Sequence, residues 1–423
     1  MEKLGLHLAI VLVILSSASS LATGIASSEA FPVYCSDANL ESSVREAIGK
    51  PAGDIMVSDL ECLVSLDACW KEIGNIDCLK VCSNLERLNL KGNQIVDLTP
   101  LSEMVNLEVL RLGYNQITDL EPLNRLVKLK ELWLWRNGIA DLSPLAGLMN
   151  LEIIALEYNQ IADLSPLVGL ARLKWLYLTW NQITDLSPLS AVVNLTELRL
   201  WGNRIADLNP LSSLVNLKEL WLGHNRITDL SSLAALCNLK ELMLAENQIT
   251  DISPLAGLMR LTRLNIAHNR ISEITHLSTM INLTWLFLND NQITHLPSLS
   301  NMSKLEDLNL ANNHISDIRA LSEPVQLTHL WLGNNLIADL SPLGTLVNLE
   351  YLDLTNNRLT DIKPLLGLIG PTTIDLSGNS LNTVSRNVYI PQLEEKGIDV
   401  IYQSEEYAEN KGFESGDELS LTR

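Results

Sequence analysis

An asparagine recurs every 22 residues through most of this chain, and this period constrains the fold more than any other feature of the sequence. The copies keep their spacing without an insertion or deletion: Asn93, Asn115, Asn137, Asn159, Asn181, Asn203, Asn225, Asn247, Asn269, Asn291, Asn313, Asn335, Asn357 and Asn379. An imperfect earlier copy has Lys71 at the corresponding position. A strict period of this length predicts a solenoid, in which each repeat packs only against its neighbours.

The residues around each asparagine follow the pattern L-x-x-L-x-L-x-x-N-x-I-x-D-L-x-P-L, a leucine-rich repeat signature. In the L-x-L stretch, alternation places the leucines on the inner face of a short strand and the intervening residues on the other face. Successive strands then pair side by side. We therefore predict an α/β repeat solenoid, a curved rod with one long parallel β-sheet on its concave face and an N-terminal helical cap.

Composition shifts along the chain divide it into five segments. Residues 1–30 combine Lys3, an apolar stretch from Leu4 to Leu15 and a run of small residues, as in a secretory signal peptide. Residues 31–84 are predicted to form a cap helix followed by an atypical first repeat, and residues 85–381 the regular array. Residues 382–404 are expected to cap the far end, and the acidic residues 405–423 to be a disordered tail.

Five of the six cysteines lie in the N-terminal cap, and an exported protein can form disulfides there. Cys82 occupies a repeat position held elsewhere by buried leucine or methionine, and Cys237 lies too many repeats away to pair. One or two bridges are therefore possible among Cys35, Cys62, Cys69 and Cys78, with the connectivity left open. A zinc site built from these four cysteines is an alternative, although their spacing matches no familiar ligand pairing.

The composition also excludes several functions. The formal charge of -20 opposes binding to nucleic acid or to an anionic membrane surface. Eleven aspartates recur at one position from Asp97 to Asp361, but that position is the turn of every repeat, where a carboxylate can accept backbone hydrogen bonds. We therefore predict no metal site, no cofactor and no catalytic residue. The mature chain is also expected to have no membrane span.

The aromatic residues point to where a partner would bind. Four positions of the repeat project from the concave strand or its exit, and they lie six, four, two and one residue before the recurring asparagine. These positions contain eight of the nine tryptophans. Exposed aromatic clusters usually mark contact surfaces. We predict one contiguous patch, formed by Trp133, Trp135, Tyr158, Trp175, Tyr177, Trp180, Trp201 and Trp221, and a smaller second patch, formed by Trp285, Phe287 and Trp331. The structural alternative is cross-strand stacking that only stiffens the sheet.

Charged residues share these positions and are expected at the rim of the patch: Arg111, Glu131, Arg136, Arg199 and Glu219. A mixed, largely acidic rim favours a protein partner that carries lysine or arginine beside an apolar anchor. Aromatic rings beside carboxylates can also hold sugars, so a glycan ligand is the second hypothesis. An enzyme is the third, because no nucleophile or phosphate-binding motif is present in the repeats.

The chain resembles the internalin-type leucine-rich repeat proteins of bacterial surfaces. The repeat N-I-x-D-L-x-P-L carries the resemblance, as in Asn115 to Leu123 and Asn159 to Leu167, together with the helix Leu40 to Gly49 and the segment Pro391 to Tyr402. It extends over about residues 31–402. The resemblance implies a secreted or cell-surface protein that binds host or envelope proteins through its concave aromatic residues.

The chain departs from this family in several places. It shows no immunoglobulin-like domain or wall anchor, which many internalins carry. Ser232, His276 and Ala320 replace the turn proline, and His295 replaces the turn aspartate. The repeat is also similar to that of intracellular phosphatase-regulating leucine-rich proteins, a reading that the signal peptide and the cysteine-bearing cap oppose.

Overall fold

The computed structural model describes residues 31–323, 326–370 and 372–402. Within these ranges the strands form one parallel sheet whose order follows the chain from β1 to β16. They are β1 Ser65–Asp67, β2 Arg87–Asn89, β3 Val109–Arg111, β4 Glu131–Trp133, β5 Ile153–Ala155, β6 Trp175–Tyr177, β7 Glu197–Arg199, β8 Glu219–Trp221, β9 Glu241–Met243, β10 Arg263–Asn265, β11 Trp285–Phe287, β12 Asp307–Asn309, β13 His329–Trp331, β14 Tyr351–Asp353, β15 Thr373–Asp375 and β16 Asp399–Ile401. The predicted signal peptide and acidic tail lie outside the described residues.

The strands stay in register because each repeat has the same length. In β6 and β7, for example, Leu176 pairs with Leu198, and the neighbouring pairs are also 22 residues apart. Leu198 is fully buried, as is Leu200 just beyond the strand. The leucines and isoleucines of all the coils form one continuous apolar core, which confirms the predicted repeat solenoid.

The recurring asparagines stitch adjacent coils together. Asn203 is 8% exposed, and its amide nitrogen donates to the carbonyl oxygens of Leu178 and Leu200, both at 3.0 Å. Its side-chain oxygen accepts from the amide of Ile183 at 3.0 Å. Each asparagine therefore satisfies backbone groups that the turning chain would otherwise leave buried and unpaired. We call this series of side chains the asparagine ladder.

The aspartate positions mark the turns opposite the sheet. The side chain of Asp141 accepts hydrogen bonds from the backbone amide and the hydroxyl of Ser143 at 2.8 and 2.7 Å, and these bonds hold the pKa of that carboxyl below its usual value. A short 3₁₀ helix follows in most repeats: Asp77–Val81, Thr99–Leu101, Glu121–Leu123, Ser143–Leu145, Ser165–Leu167, Ser187–Ala191, Asn209–Ser213, Ser231–Ala235, Ser253–Gly257, Thr275–Thr279, Arg319–Ser322, Ser341–Thr345 and Lys363–Gly367. The aspartates thus have the turn role that their position indicates.

The N-terminal end of the core is covered by helix α1, Ala38–Ile48. Asp37 caps this helix by accepting from the amides of Asn39 and Leu40, and its second oxygen accepts from the amide of Gly74 in the first coil. Gly49 ends the helix in the left-handed conformation, with φ of 66°. A second short helix, α2 Val57–Glu61, was not evident from the sequence.

The C-terminal end of the core is covered by a π turn, Ser385–Tyr389, and helix α3, Ile390–Glu395. Ile390 and Leu393 are buried against the last coils. Strand β16 then pairs with β15 and closes the sheet. None of the helices in the described ranges combines the length and the apolarity needed to cross a bilayer.

Candidate functional site

The outer surface of the parallel sheet is the candidate site, and strand alternation decides which side chains reach it. In β7 the side chain of Leu198 is buried, while Glu197 and Arg199 on either side of it are partly exposed. The same alternation, together with the bend just after each strand, brings the positions six, four, two and one residue before each ladder asparagine onto one surface, although Ala155 and Tyr177 are buried there. We call this surface the strand face.

The predicted first patch is arranged as two rows. The strand row runs along the strands themselves and comprises Trp133, Trp175, Tyr177, Arg199 and Trp221. The bend row runs along the bends just after the strands and comprises Trp70, Tyr114, Trp135, Arg136, Tyr158, Trp180, Trp201 and His224. The residues expected to form one patch thus lie in two rows, one along the strands and one along the bends.

Arginine holds the strand row together. The guanidinium of Arg199 lies 4.5 Å from the ring centre of Tyr177 and 4.2 Å from that of Trp221. It also pairs with Glu219 at 3.5 Å. The indole nitrogen of Trp221 donates to Glu241 at 3.0 Å. Rings and charges are thus interleaved and oriented by each other before any partner arrives.

Tyr177 is too deeply buried to match the prediction that it contacts a partner. Only 7% of this residue is exposed, and the centre of its ring lies 6.4 Å from the ring of Trp133 and 4.5 Å from the guanidinium of Arg199. Its hydroxyl donates to Glu197 at 2.6 Å, and burial together with this carboxylate raises the pKa of Tyr177. Tyr177 therefore supports the surface from below.

The bend row has an unusual backbone. The residue just before the ladder asparagine lies in the left-handed region, with φ of 52° at Arg136, 55° at Tyr158 and 54° at Trp180. The guanidinium of Arg136 lies between the rings of Tyr114 and Tyr158, at 5.0 and 4.4 Å. The rings of Tyr158 and Trp180 stack at 6.4 Å. These side chains form a continuous series along the exit from the strands.

Trp70 also lies on this surface, although it is absent from the predicted patches. It directly precedes Lys71, so it occupies the bend position of the first, atypical coil, and all nine tryptophans lie on the strand face. It is 59% exposed and lies 5.3 Å from Tyr114. Its ring also covers Gly92 so closely that a Cβ there would come within 2.2 Å of it. Aligning Lys71 with the ladder asparagines is the signal that finds Trp70.

The second patch is larger than predicted, and we call it the distal patch. Trp285 and Phe287 stack at 3.8 Å, and Phe287 lies 5.6 Å from Trp331 across two strands. Two residues absent from the prediction extend it: His329 and Tyr351, at 5.7 and 5.8 Å from Trp331. His329 and Tyr351 occupy strand-face positions six residues before Asn335 and Asn357, but neither is a tryptophan, the residue type that defined the predicted patch.

The charged residues predicted at the rim are only partly there. Arg111 pairs with Glu131 at 3.8 Å, and Glu131 accepts from the indole nitrogen of Trp133 at 3.3 Å. Arg136 and Arg199 instead lie between aromatic rings, inside the rows. The prediction is wrong for these two arginines because it did not anticipate that guanidinium groups would stack on the rings of adjacent coils.

Acidic groups crowd the middle of the strand face. Burial raises the pKa of Glu157 to about 7, although the charge of Arg199 acts in the opposite direction. Among the described residues, one carboxyl oxygen of Glu157 and the Nε of Arg199 are buried without a hydrogen-bond partner. Burial and the charges of Glu197 and Glu241 raise the pKa of Glu219. This region therefore disfavours further negative charge.

The cysteine cluster resolves into one disulfide, between Cys35 and Cys78, with Cα atoms 4.9 Å apart. It joins the segment before α1 to the first 3₁₀ helix. Cys62 and Cys69 are free thiols, and Cys82 is buried in the core, where burial raises its pKa to about 12. Within the described ranges, no three His, Cys, Asp or Glu side chains gather as a metal site would require.

Comparison with known proteins agrees with this architecture. The family described as Leucine Rich repeats (2 copies) matches residues 83–125, 105–147, 127–169, 171–211, 193–235, 237–279, 281–323 and 325–367. The curated proteins gave no match.

Several solved structures are similar to this chain. An internalin (inlF) from Listeria monocytogenes is 34% identical over 80% of this chain and 94% of that chain, with a TM-score of 0.70. A leucine-rich repeat protein from Leptospira interrogans is 24% identical over 81% of this chain and 97% of that chain, with a TM-score of 0.74, and shares the fold. The functional domain of InlJ from Listeria monocytogenes is 22% identical over 81% of this chain and 80% of that chain, with a TM-score of 0.69. The extent of the repeat match and of the first of these likenesses shows that this chain belongs to the internalin-like family of bacterial leucine-rich repeat proteins.

Proposed function

We propose that this protein is an exported, non-enzymatic binding protein that recognises a protein partner through the aromatic rows of its strand face. Leucine-rich repeat arrays offer extended concave surfaces for such contacts. The large, rigid rings of tryptophan and tyrosine give much contact area at low entropy cost, and they dominate protein interfaces. The formal charge of -20 favours a partner with basic groups over nucleic acid.

The proposal rests mainly on aromatic residues that adopt a left-handed backbone in the bend row. The bend position has a left-handed backbone in every repeat, and asparagine tolerates this conformation better than aromatic or long side chains do. Near the C-terminal end the chain uses Asn312, Asn334 and Asn356 there, with φ of 55°, 55° and 51°. In the middle it places Tyr158 and Trp180 in the same conformation. Aromatic residues at strained, solvent-facing positions indicate a demand on the side chain that folding does not make.

The test is retention of proteins from surface extracts on the immobilised protein. The wild type is compared with a triple variant, Trp133→Ala, Trp175→Ala and Trp221→Ala, and retained proteins are identified, purified and measured again. A matched control removes three exposed apolar side chains outside the strand face, Val105, Val127 and Met149. We expect at least a tenfold loss of affinity in the tryptophan variant, equivalent to about 1.4 kcal/mol, and little change in the control.

Protease treatment of the extract separates the two ligand classes. Retention that depends on the tryptophans and disappears after protease supports a protein partner. Retention that depends on the tryptophans but survives protease would show a glycan ligand instead. Retention that is indifferent to the tryptophans would contradict the assignment of the site.

Export is part of the same proposal. It rests on the signal-peptide pattern in residues 1–30 and is supported by the disulfide between Cys35 and Cys78, because such bonds persist in oxidising compartments. Fractionation of cells that express the full chain, followed by N-terminal sequencing of the product, tests it. We expect the processed chain outside the cytoplasm, with cleavage between about Gly24 and Ala30. An intact N-terminus on a cytoplasmic product would contradict export.

A further inference from the structure

Charge is distributed unevenly along the strand face, although the whole chain is strongly acidic. The strand-face positions of β1–β4 carry four basic side chains, Arg87, Lys91, Arg111 and Arg136, against two acidic ones, Asp67 and Glu131. The corresponding positions of β5–β9 carry five acidic side chains, Glu157, Glu197, Glu219, Glu241 and Glu246, against Arg199 alone. The surface thus changes sign between the fourth and fifth strands.

A cavity of about 400 Å³ lies in the basic part, and we call it the N-terminal pocket. Trp70, Trp133 and Trp135 line its walls, together with Lys91 and Arg111. The ammonium of Lys91 lies 4.8 Å from the ring centre of Trp135 and 5.7 Å from that of Trp70. The guanidinium of Arg111 lies 6.0 Å from the ring centre of Trp133. Three indole rings therefore lie against the two cations that line the cavity.

These two cations are poorly neutralised by the protein itself. Among the described residues the ammonium of Lys91 has no carboxylate within ion-pair distance, and Arg111 has only the long contact of 3.8 Å with Glu131. The nearby Asp67 also attracts the charge of Arg111, but the two form no ion pair, and the oxygens of Asp67 accept from the amide of Cys69 and from the side chain of Asn89 at 3.1 and 3.0 Å. The pocket therefore offers positive charge that an incoming carboxylate can complete.

We propose that the N-terminal pocket binds an acidic peptide segment of the partner. Carboxylates of that segment pair with Lys91 and Arg111, and an adjacent apolar side chain packs on Trp70 and Trp135. The acidic region from β5 to β9 repels the same segment, so the partner binds in one orientation, with its acidic part toward the N-terminal end of the solenoid. This inference rests on the proposed function, because it assigns one part of the strand face to one part of a protein partner.

The experiment measures binding of a short fluorescent peptide, rich in Asp and Glu with one leucine, to the full protein by fluorescence anisotropy. We expect at least about tenfold weaker binding to the double variant Lys91→Ala and Arg111→Ala, and a loss of several fold when salt rises from ~50 to ~300 mM. The matched control, Lys218→Ala with Lys240→Ala, makes the same change of net charge elsewhere. It should bind as the wild type does.

Three results would overturn the proposal. The first is equal binding of a peptide in which Gln and Asn replace Glu and Asp, or no binding of the acidic peptide at all. The second is equal loss in both double variants, which would mean a diffuse charge effect. The third is binding of an acidic oligosaccharide such as oligogalacturonate in place of the peptide, which would assign the pocket to a glycan. Melting temperatures of both variants close to that of the wild type establish that folding is intact.

The failure of this inference can be told apart from the failure of the proposed function. Retention of the partner that requires Trp175 and Trp221 but is unaffected by loss of Lys91 and Arg111 would leave the strand face as the binding site and remove the acidic segment. Retention that is indifferent to all four residues would remove both.

Discussion

The interior of each coil and the strand face have the same period but follow different rules. Inside, the position of Asn203 is occupied by asparagine in every regular repeat, because three backbone groups depend on that one amide. On the strand face, the residue just before it is Gly202, while one repeat earlier it is Trp180. Positions that the fold needs are therefore uniform, and positions that vary at constant backbone geometry are free to serve recognition. Substitutions on the two sides of this division should therefore differ in their cost, which is expected to be largest in the interior.

The interior should be the most sensitive part of the molecule. Leu198 is fully buried at the centre of β7, and replacing it with alanine leaves a cavity that the neighbouring coils cannot fill. We expect Leu198→Ala to lower the free energy of unfolding by about 4 kcal/mol, measured by urea denaturation. Arg263→Ala, which removes an exposed side chain on the strand face in β10, serves as the control and should cost less than about 1 kcal/mol. Similar losses in both variants would mean that the two faces are not energetically distinct.

Substitutions in the asparagine ladder should cause the second largest loss of stability. Asn203→Ala leaves two carbonyl oxygens and one amide without their partners, and we expect a loss of about 3 kcal/mol of unfolding free energy. Asn194 also bridges two coils, but it is exposed and donates only to the carbonyl of Ala171. Asn194→Ala should cost about 0.5–1 kcal/mol, since water replaces its hydrogen bond. Equal effects of the two substitutions would refute a special role for the ladder.

The strand face and the turns should respond to pH with opposite signs. The pKa of Glu157 is raised to about 7 from an ordinary value of 4.5, so its contribution to stability is full below pH 4.5 and is lost as the pH rises to 7. We expect a decline of about 2 kcal/mol over this interval, which Glu157→Gln abolishes. The pKa of Asp141 in the turns is lowered, so its contribution is present at neutral pH and disappears on acidification. A decline that persists in Glu157→Gln would point to another group.

The aromatic rows should matter least for stability. Trp180 is 40% exposed and contacts Tyr158 and His224 on the surface. We expect Trp180→Ala to cost no more than about 1 kcal/mol in urea denaturation. A loss of 3 kcal/mol or more would favour the view that the rings merely stiffen the sheet, and it would weaken the proposed function.

The sequence predicts the fold well because one period determines it. Repeat length, strand register and the inward leucines all follow from the spacing of the ladder asparagines, and Asp37 and Gly49 mark the ends of the cap helix. The disulfide partner of Cys35 was left open, because distance within the cap depends on how α1 and α2 pack.

The candidate site was predictable only in part. Position in the repeat shows which side chains leave the sheet, but it does not show which ones cover each other. Tyr177 is buried by residues from adjacent coils, and Arg199 stacks between rings, since both long side chains reach across about 5 Å to the next strand. Trp70 was missed for a different reason: its coil has Lys71 in place of the marker asparagine.

The uniform parallel register fixes the spacing at which residues of the strand face are presented to a partner. Each strand adds a step of about 4.8 Å along the sheet, so the separation of two residues in that direction is set by the number of strands between them. Trp221 on β8 and Trp285 on β11 are three steps apart, or roughly 15 Å. The number of repeats between two contact residues therefore determines how far apart the solenoid holds them. Insertion of one extra 22-residue repeat between them would move Trp221 and Trp285 apart by one strand spacing, about 4.8 Å, and leave the surfaces on either side unchanged.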